Sequence, residues 1–375
     1  MVSYLSQYHG GYRIFTVIKE IEKADIWLSA GLSAGVLKED SLLLLPDNIM
    51  IPFTSEEKRR MEQIHEFDVL DINENGIVYR WYSSFDGDAG IATTSACNSN
   101  CIMCPAGDNE RRHHNHLTVE QLETVVRHMP KDLYYFTVTG GEPTLIGEDS
   151  FIRLMNTVKK ELPQTKILLL TNGRTLGDRN FMERFLNSKP DCLRVAIPLH
   201  GSTAAKHDYI TRAQGSFHQT IRAIKALLKE KIELELRIVV SKLNRDDITG
   251  IAAYIAHHFP SVTVVNFVGL EMRGNCVINA DKVLLSYEDA FQASKAAIKL
   301  LIRSGIDVGL YNFPYCMIDK SYWPIAQKSI SAYKSVFYPS CEKCEMKNAC
   351  CGIFKATMRF YKPAVHPIVH GEKDD

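Results

Sequence analysis

The chain has 375 residues, 45% hydrophobic and 23% charged, and its 44 basic and 44 acidic side chains balance to a formal net charge of zero. That balance argues against a nucleic-acid binder working through bulk electrostatics, and the longest apolar runs, near 27–37 and 42–45, fall far short of a membrane span. The start, Met1-Val2-Ser3-Tyr4-Leu5, lacks the basic region and apolar core of a secretory signal, and most of the ten cysteines gather at metal spacings, as expected for reduced thiols in the cytoplasm.

In chain order, short strand-like runs at 12–18, 42–45 and 76–81 alternate with the turn signals Pro46-Asp47-Asn48 and Asn73-Glu74-Asn75-Gly76. They predict a small α+β or β-rich N-terminal domain over 1–85, either a structural cap or a surface for a peptide or partner. Apolar runs at 90–95, 134–139, 166–171, 193–199, 234–240 and 262–268 then read as strands. Between them, 118–129, 149–162, 179–187, 216–229 and 246–258 read as helices, the first opening with Thr118 and Gln121 at capping-box spacing. Most of these strands are largely apolar, as in a parallel sheet covered on both faces; Glu235 and Arg237 make 234–240 the exception. Six strand–helix repeats predict an α/β fold with a partial (β/α)6 parallel barrel over 86–280, its site at the carboxyl ends of the strands, and a cysteine-rich extension over 281–375.

Cys97, Cys101 and Cys104 stand in the run Ser95-Ala96-Cys97-Asn98-Ser99-Asn100-Cys101-Ile102-Met103-Cys104-Pro105. Three thiolates in eight residues can hold three corners of an iron–sulfur cubane, which normally takes four. The fourth iron is then open to a ligand, as in a reactive rather than a structural metal site. A zinc knuckle completed by His113, His114 or His116 is the competing reading, and unligated core thiols a third. Thr139-Gly140-Gly141-Glu142-Pro143 follows the apolar run 134–138, so Glu142 projects from a strand's carboxyl end where the glycines let the backbone approach a ligand. Asn172, His200 and Ser241 at later strand ends, with Arg237 inside its strand, are further candidates for contacts with a bound cofactor, although loop-starting residues also look like this.

A second cysteine group lies near the C-terminus, where Cys341, Cys344 and Cys350 form C-x2-C-x5-C, with Cys351 adjacent and Cys316 upstream. Four thiolates can close a cluster without an open iron, or bind structural zinc. Cys316, Cys341, Cys344 and Cys350 are the expected set, with Cys351 competing for the place of Cys350. Cys192 and Cys276 stand alone as ordinary thiols.

The C-x3-C-x2-C spacing, joined to Gly-Gly-Glu-Pro, resembles the radical S-adenosylmethionine (SAM) superfamily. The resemblance implies that Cys97, Cys101 and Cys104 hold a [4Fe–4S] cluster, that Gly140, Gly141, Glu142 and Pro143 hold the amino group of SAM, and that the core is a partial barrel. Met103 stands where many such enzymes carry an aromatic residue near the adenine, so it would pack on the base without stacking. The C-terminal spacing is similar to the SPASM and twitch extensions, which hold auxiliary [4Fe–4S] clusters in peptide-modifying enzymes; Phe354 stands where a full SPASM extension has a further cysteine. Further segments, among them Ile197-Pro198-Leu199-His200, His207-Asp208-Tyr209, Gly215-Ser216-Phe217, Trp323-Pro324 and His366-Pro367-Ile368, resemble the maturases of the His-Xaa-Ser peptide systems. That resemblance implies a 5′-deoxyadenosyl radical acting on a ribosomally made precursor peptide, with a second radical SAM protein and an electron donor as partners. Two other readings remain: a small-molecule enzyme of the molybdenum-cofactor-synthesis kind, whose Gly-Gly tail is replaced here by Asp374-Asp375, and a zinc-binding interaction protein without catalysis.

Overall fold

The computed structural model describes residues 3–85, 87, 89–112, 117–329 and 332–369. His113, His114 and His116, the zinc alternative to a fourth thiolate, lie outside the described residues, as does the tail 371–375.

The chain begins with a seven-stranded sheet built from β1 (Ser3–Tyr4), β2 (Arg13–Ile18), β3 (Ser33–Leu37), β4 (Ser41–Leu45), β5 (Ile49–Pro52), β6 (Val69–Ile72) and β7 (Ile77–Tyr82), in the order β1-β7-β6-β2-β3-β4-β5. β2 and β3 run parallel and the other pairs antiparallel. Leu5, Phe15, Val17, Leu42, Leu44 and Leu70 form part of a buried cluster there. Helix α1 (Asp25–Leu28) follows β2, and α2 (Ser55–Met61) is fixed at its start by reciprocal hydrogen bonds between Thr54 and Glu57.

Eight parallel strands follow: β8 (Gly90–Ala92), β9 (Tyr135–Thr139), β10 (Lys166–Leu170), β11 (Leu193–Pro198), β12 (Glu233–Val239), β13 (Val264–Val268), β14 (Asp307–Tyr311) and β15 (Ala326–Gln327). The connections carry α3 (Asp108–Arg112), α4 (Val119–His128), α5 (Glu148–Glu161), α6 (Arg179–Ser188), α7 (Ala204–Thr211), α8 (Ser216–Lys229), α9 (Ile248–His258), α10 (Asn275–Ile278), α11 (Ala280–Val283) and α12 (Tyr287–Arg303). The fold class is α/β, and the strand order β8 to β15 follows the chain, as in a partial parallel barrel. The expected α/β partial barrel stands, and its sheet continues past the six strands read from the sequence to eight. β14 pairs in register with β13, and β15 with β14, after α12 has covered the intervening chain. Their runs are short and begin with Asp307 and Ala326, so their apolar pattern alone did not stand out. A two-stranded hairpin of β16 (Ser335–Val336) and β17 (Ile353–Phe354) closes the C-terminal region.

Two compact units divide the chain, Met1–Thr94 with Asn115–Leu170 and Arg184–Leu193, and Ser95–His114 with Thr171–Glu183 and Arg194–Asp375. The first contains the N-terminal sheet together with β8, β9 and β10, and there α4 docks on β2. The Thr16 hydroxyl lies 2.8 Å from Nδ1 of His128, both residues buried. Burial, helped by the nearby Lys131, pulls the pKa of His128 down to about 4. A histidine held neutral in this way stabilises the fold fully above its unfolded pKa of about 6.5 and loses that contribution as pH falls toward about 4. Between pH 7 and pH 4.5, His128→Gln should therefore lose about 2–3 kcal/mol less stability in denaturant unfolding than the wild type does; an equal loss in the two would assign the effect to other groups.

Candidate functional site

The cysteine loop leaves the carboxyl end of β8 and is tied down from several sides within the second unit. Asn100 N donates to Thr211 O at 3.0 Å and Ile102 N to Ile210 O at 2.9 Å, anchoring the loop on the end of α7. From the chain after β13, the side chain of Asn275 donates to Asn100 Oδ1 at 2.7 Å and to Cys101 O at 3.0 Å, while Asn279 donates to Ile102 O at 3.2 Å. Two guanidinium groups complete the clamp. Arg111 donates to Ser99 O and Asn100 Oδ1, and Arg174 to Asn98 O and Ser99 Oγ. Nothing in the sequence near the cysteines marks Asn275 or Asn279, because they arrive from about 175 residues further along.

Two N–H groups address the first sulfur. Ser99 N donates to Cys97 Sγ at 3.4 Å, and Asn172 Nδ2 approaches the same sulfur at 3.8 Å while donating to Asn98 Oδ1 at 2.7 Å. Donors aimed at sulfur suit a thiolate that keeps its charge as a metal ligand. Burial, with Cys104 and Cys97 next in weight, pushes the thiol of Cys101 up to about 12. Burial of this kind keeps the Cys101 thiol protonated while no metal is bound, and a metal that replaces its proton offsets that cost. Among the described residues, no group of three or more His, Cys, Asp or Glu is gathered closely enough to hold a single metal ion as the side chains stand. Thiolates of a cubane bind separate irons, so the fit here rests on spacing, loop anchoring and N–H donors.

Met103 is 3% exposed, in an apolar cluster with Ile102, Ile210, Met272, Cys276 and Val283. The Asn275 clamp has a measurable consequence. Asn275→Leu removes one hydrogen bond each from Cys101 O, which keeps Cys104 N, and from Asn100 Oδ1, which keeps Arg111, and the two losses together should cost about 1–3 kcal/mol in denaturant unfolding. It should also lower the iron retained after reconstitution; unchanged stability and iron would remove Asn275 from the clamp.

In the first unit, Gly140–Pro143 leaves the carboxyl end of β9. Gly141 N donates to Thr94 O at 2.6 Å, and the Thr93 hydroxyl donates to Pro143 O at 3.3 Å. A Cβ on Gly140 would stand 2.5 Å from Thr94 O, so the close approach of two backbones requires glycine. Glu142 is fully buried, and its Oε1 accepts from Thr144 N at 3.3 Å and from the Thr144 hydroxyl at 2.9 Å.

The remaining strand-end candidates lie in the second unit. His200 is buried after β11; its N donates to Nδ1 of His207 at 3.2 Å, and its own Nδ1 has no partner. Burial, with His207 second, lowers the pKa of His200 to about 3, so it is neutral. Ser241 is fully buried, its N and hydroxyl both turned to Asn244 Oδ1 in a local turn. Arg237 is engaged with Glu235 through Nε at 2.6 Å. Asn172 thus stands at the cysteine loop itself.

The C-terminal cysteines converge. Cys316, Cys341, Cys344 and Cys350 line one mostly apolar cavity with Phe337 and Pro367, and Cys351 is not part of its wall. Cys351 is 3% exposed and packed with Phe354. Gly352 N donates to Cys350 Sγ and Ile368 N to Cys344 Sγ, each at 3.4 Å, repeating the donor pattern of the first loop. The Cys351 thiol has two acceptors in reach, Gly352 O at 3.1 Å and the Cys350 sulfur, whose pKa it lowers. Burial pushes Cys316 up to about 11, with Cys350 and Cys341 adding to it.

Residues 91–255 match the Radical SAM superfamily. Over 161 residues the chain is 29% identical to a cysteine-type anaerobic sulfatase-maturating enzyme of Clostridium novyi (strain NT), covering 40% of this chain and 42% of that protein. Over 157 residues it is 26% identical to an AdoMet-dependent heme synthase of Methanosarcina barkeri (strain Fusaro / DSM 804), covering 42% and 43%. The matches thus span less than half the length of these curated relatives. Among solved structures, Streptococcus suis SuiB bound to the precursor peptide SuiA aligns with a TM-score of 0.48 at 13% identity, over 59% of this chain and 48% of that one. Native anSMEcpe with bound AdoMet and the Kp18Cys peptide aligns with a TM-score of 0.45 at 19% identity, over 59% and 62%. Members of this superfamily work with a [4Fe–4S] cluster and SAM. With the three-cysteine loop after β8 and Gly-Gly-Glu-Pro after β9, residues 91–255 form a radical SAM domain.

Proposed function

We propose that the protein is a radical SAM enzyme that modifies a ribosomally made peptide or protein. The observation that carries this reading is the clamped loop of Cys97, Cys101 and Cys104, which offers three thiolates and no fourth. In this reading those thiolates hold a [4Fe–4S] cluster, and Gly140, Gly141, Glu142 and Pro143 hold SAM, with Asn172, His200, Arg237, Ser241 and Met103 as further cofactor contacts. When bound, the reduced cluster and SAM supply methionine and a 5′-deoxyadenosyl radical, which removes a hydrogen from the substrate. The chain's own work is to fix this pair and keep water away. Asn275, Asn279, Arg111 and Arg174 hold the loop, Met103 and Ile102 cover it with apolar surface, and Thr93 and Thr94 hold the glycine turn.

Cys316, Cys341, Cys344 and Cys350 would hold an auxiliary [4Fe–4S] cluster, supported by their common cavity. Cys350→Ala should then lower the iron content by about four per chain, whereas Cys351→Ala should leave it near the wild-type value; zinc in place of iron at this site would support a structural centre. Domains over 1–85, 86–280 and 281–375, a cytoplasmic location, a precursor peptide of the His-Xaa-Ser kind, a second radical SAM protein and an electron donor complete the proposal. A peptide substrate is supported by the named activity of the sulfatase-maturating relative and by the C-terminal cysteine group.

Formation of 5′-deoxyadenosine by anaerobically reconstituted protein with SAM and dithionite, run beside Cys104→Ala, tests the reading. Product from the wild type alone supports it. Stoichiometric zinc without iron, and no product, would replace it with the zinc-binding alternative.

A further inference from the structure

The run His366-Pro367-Ile368 lies along the C-terminal cysteine cavity within the second unit. Val365, His366, Pro367 and Ile368 all line that cavity beside its four cysteines. Residues 361–369 belong to no helix or strand, so the segment keeps its place through contacts with its neighbours. Ile368 supplies two of them. Its N–H donates to Cys344 Sγ at 3.4 Å, and its C=O accepts from Glu345 N at 3.0 Å. One residue therefore grips the cysteine loop by both of its backbone groups, in the way a residue of an extended strand grips its neighbour.

The residue types of the run account for this geometry. Pro367 has no N–H that needs a partner, and its ring biases His366 toward an extended backbone. In an extended chain, N–H groups two residues apart point to the same side. His366 and Ile368 then present theirs to one side, with no donor between them. The backbone of His366 accordingly lies beside Cys316, where it favours the charged sulfur. A cluster held by such cysteines gains an electron on reduction, and part of that charge falls on the ligand sulfurs. An N–H aimed at a ligand sulfur is therefore worth more in the reduced state than in the oxidised one. Gly352 N gives Cys350 Sγ the same kind of donor from within the cysteine turn, whereas Ile368 reaches Cys344 from 24 residues away.

We propose that His366-Pro367-Ile368 is a strap over the C-terminal centre, and that Ile368 is a positioning residue whose backbone N–H to Cys344 raises the reduction potential of the cluster held there. The assignment rests on the auxiliary-cluster reading above. The test uses the full chain, reconstituted anaerobically and carrying Cys104→Ala, so that the remaining iron is that of the C-terminal group. A redox titration followed by electron paramagnetic resonance then reads its potential.

Ile368→Pro lacks the donor, and its ratio of reduced to oxidised cluster at a fixed potential should fall about tenfold, a shift of about 59 mV for one electron. Ile368→Val keeps the N–H and should keep the potential. A second measurement does not need the proline variant to assemble a cluster. With ¹⁵N-labelled isoleucine, the reduced cluster should show a ¹⁵N coupling in pulsed electron paramagnetic resonance that disappears in Ile368→Val, although Ile353, also on the cavity wall, stays labelled in both. A coupling that survives in Ile368→Val, no coupling at all, or an Ile368→Pro cluster with the parent's potential would overturn the assignment. Any of these with iron in place removes the role of the strap alone. Zinc or no metal at the C-terminal group removes the auxiliary cluster and the role of the strap with it.

Discussion

Replacing Cys101 by Ala will abolish SAM cleavage and take about four irons per chain with it. Cys101 is partly buried and held from several sides. Its carbonyl is held by Asn275, it packs against the Ile102 and Met103 cluster, and burial together with its two neighbours drives its thiol to about 12. A cluster bound by two thiolates of a three-thiolate set has two irons open to solvent, so loss of the whole cluster is expected rather than a gradual decline. Iron and sulfide analysis with electron paramagnetic resonance of the reduced protein measures this separately from turnover. The iron lost should be that of one cluster, leaving the iron attributed to the C-terminal group. Retention of all iron in Cys101→Ala would show that the triplet does not hold a cluster.

Gly140→Ala is expected to have the second-largest effect, for a reason of space rather than charge. The new methyl group would sit 2.5 Å from Thr94 O and 3.1 Å from Thr94 N, distances at which the backbone itself must move. Such a shift costs about 1–3 kcal/mol of stability. It also moves Gly141, whose N–H is bonded to Thr94 O, and Glu142 beyond it. If this turn holds SAM, a displacement near 1 Å should weaken cofactor affinity or turnover by about a hundredfold. Equilibrium binding of SAM to the reconstituted protein separates the two consequences, because the loss of affinity should exceed the fraction unfolded. Stability reduced with SAM affinity intact would make Gly140 a purely structural residue. Glu142→Gln provides the matching test of charge, since the amide keeps an oxygen for Thr144 in the same buried space.

What the sequence determined by itself was local. Cysteine spacing, the Gly-Gly-Glu-Pro turn and the alternation of apolar runs with amphipathic stretches are all short-range patterns, and α8 begins and ends where its periodicity placed it. The expected strand at 193–199 became β11 over Leu193–Pro198. A run of apolar residues flanked by turn signals reports burial directly, so such elements need no knowledge of their neighbours. β14 and β15 escaped because a short strand at the end of a parallel sheet owes its existence to the partner beside it, here β13 and then β14.

Tertiary structure alone decided the rest. It brought Asn275 and Asn279 to the cysteine loop across about 175 residues, gathered Cys316 with three cysteines at least 25 residues away, and left Cys351 in the core while Cys350 faced the cavity. Cys350 and Cys351 are chemically identical neighbours, and only the direction of each side chain distinguishes them. Ile368 is the clearest case. In sequence it is one apolar residue after Pro367, whereas in the fold its backbone N–H meets the sulfur of Cys344, 24 residues back. Hydrogen-bond satisfaction depends on which groups the chain brings within about 3 Å, and no local pattern encodes that.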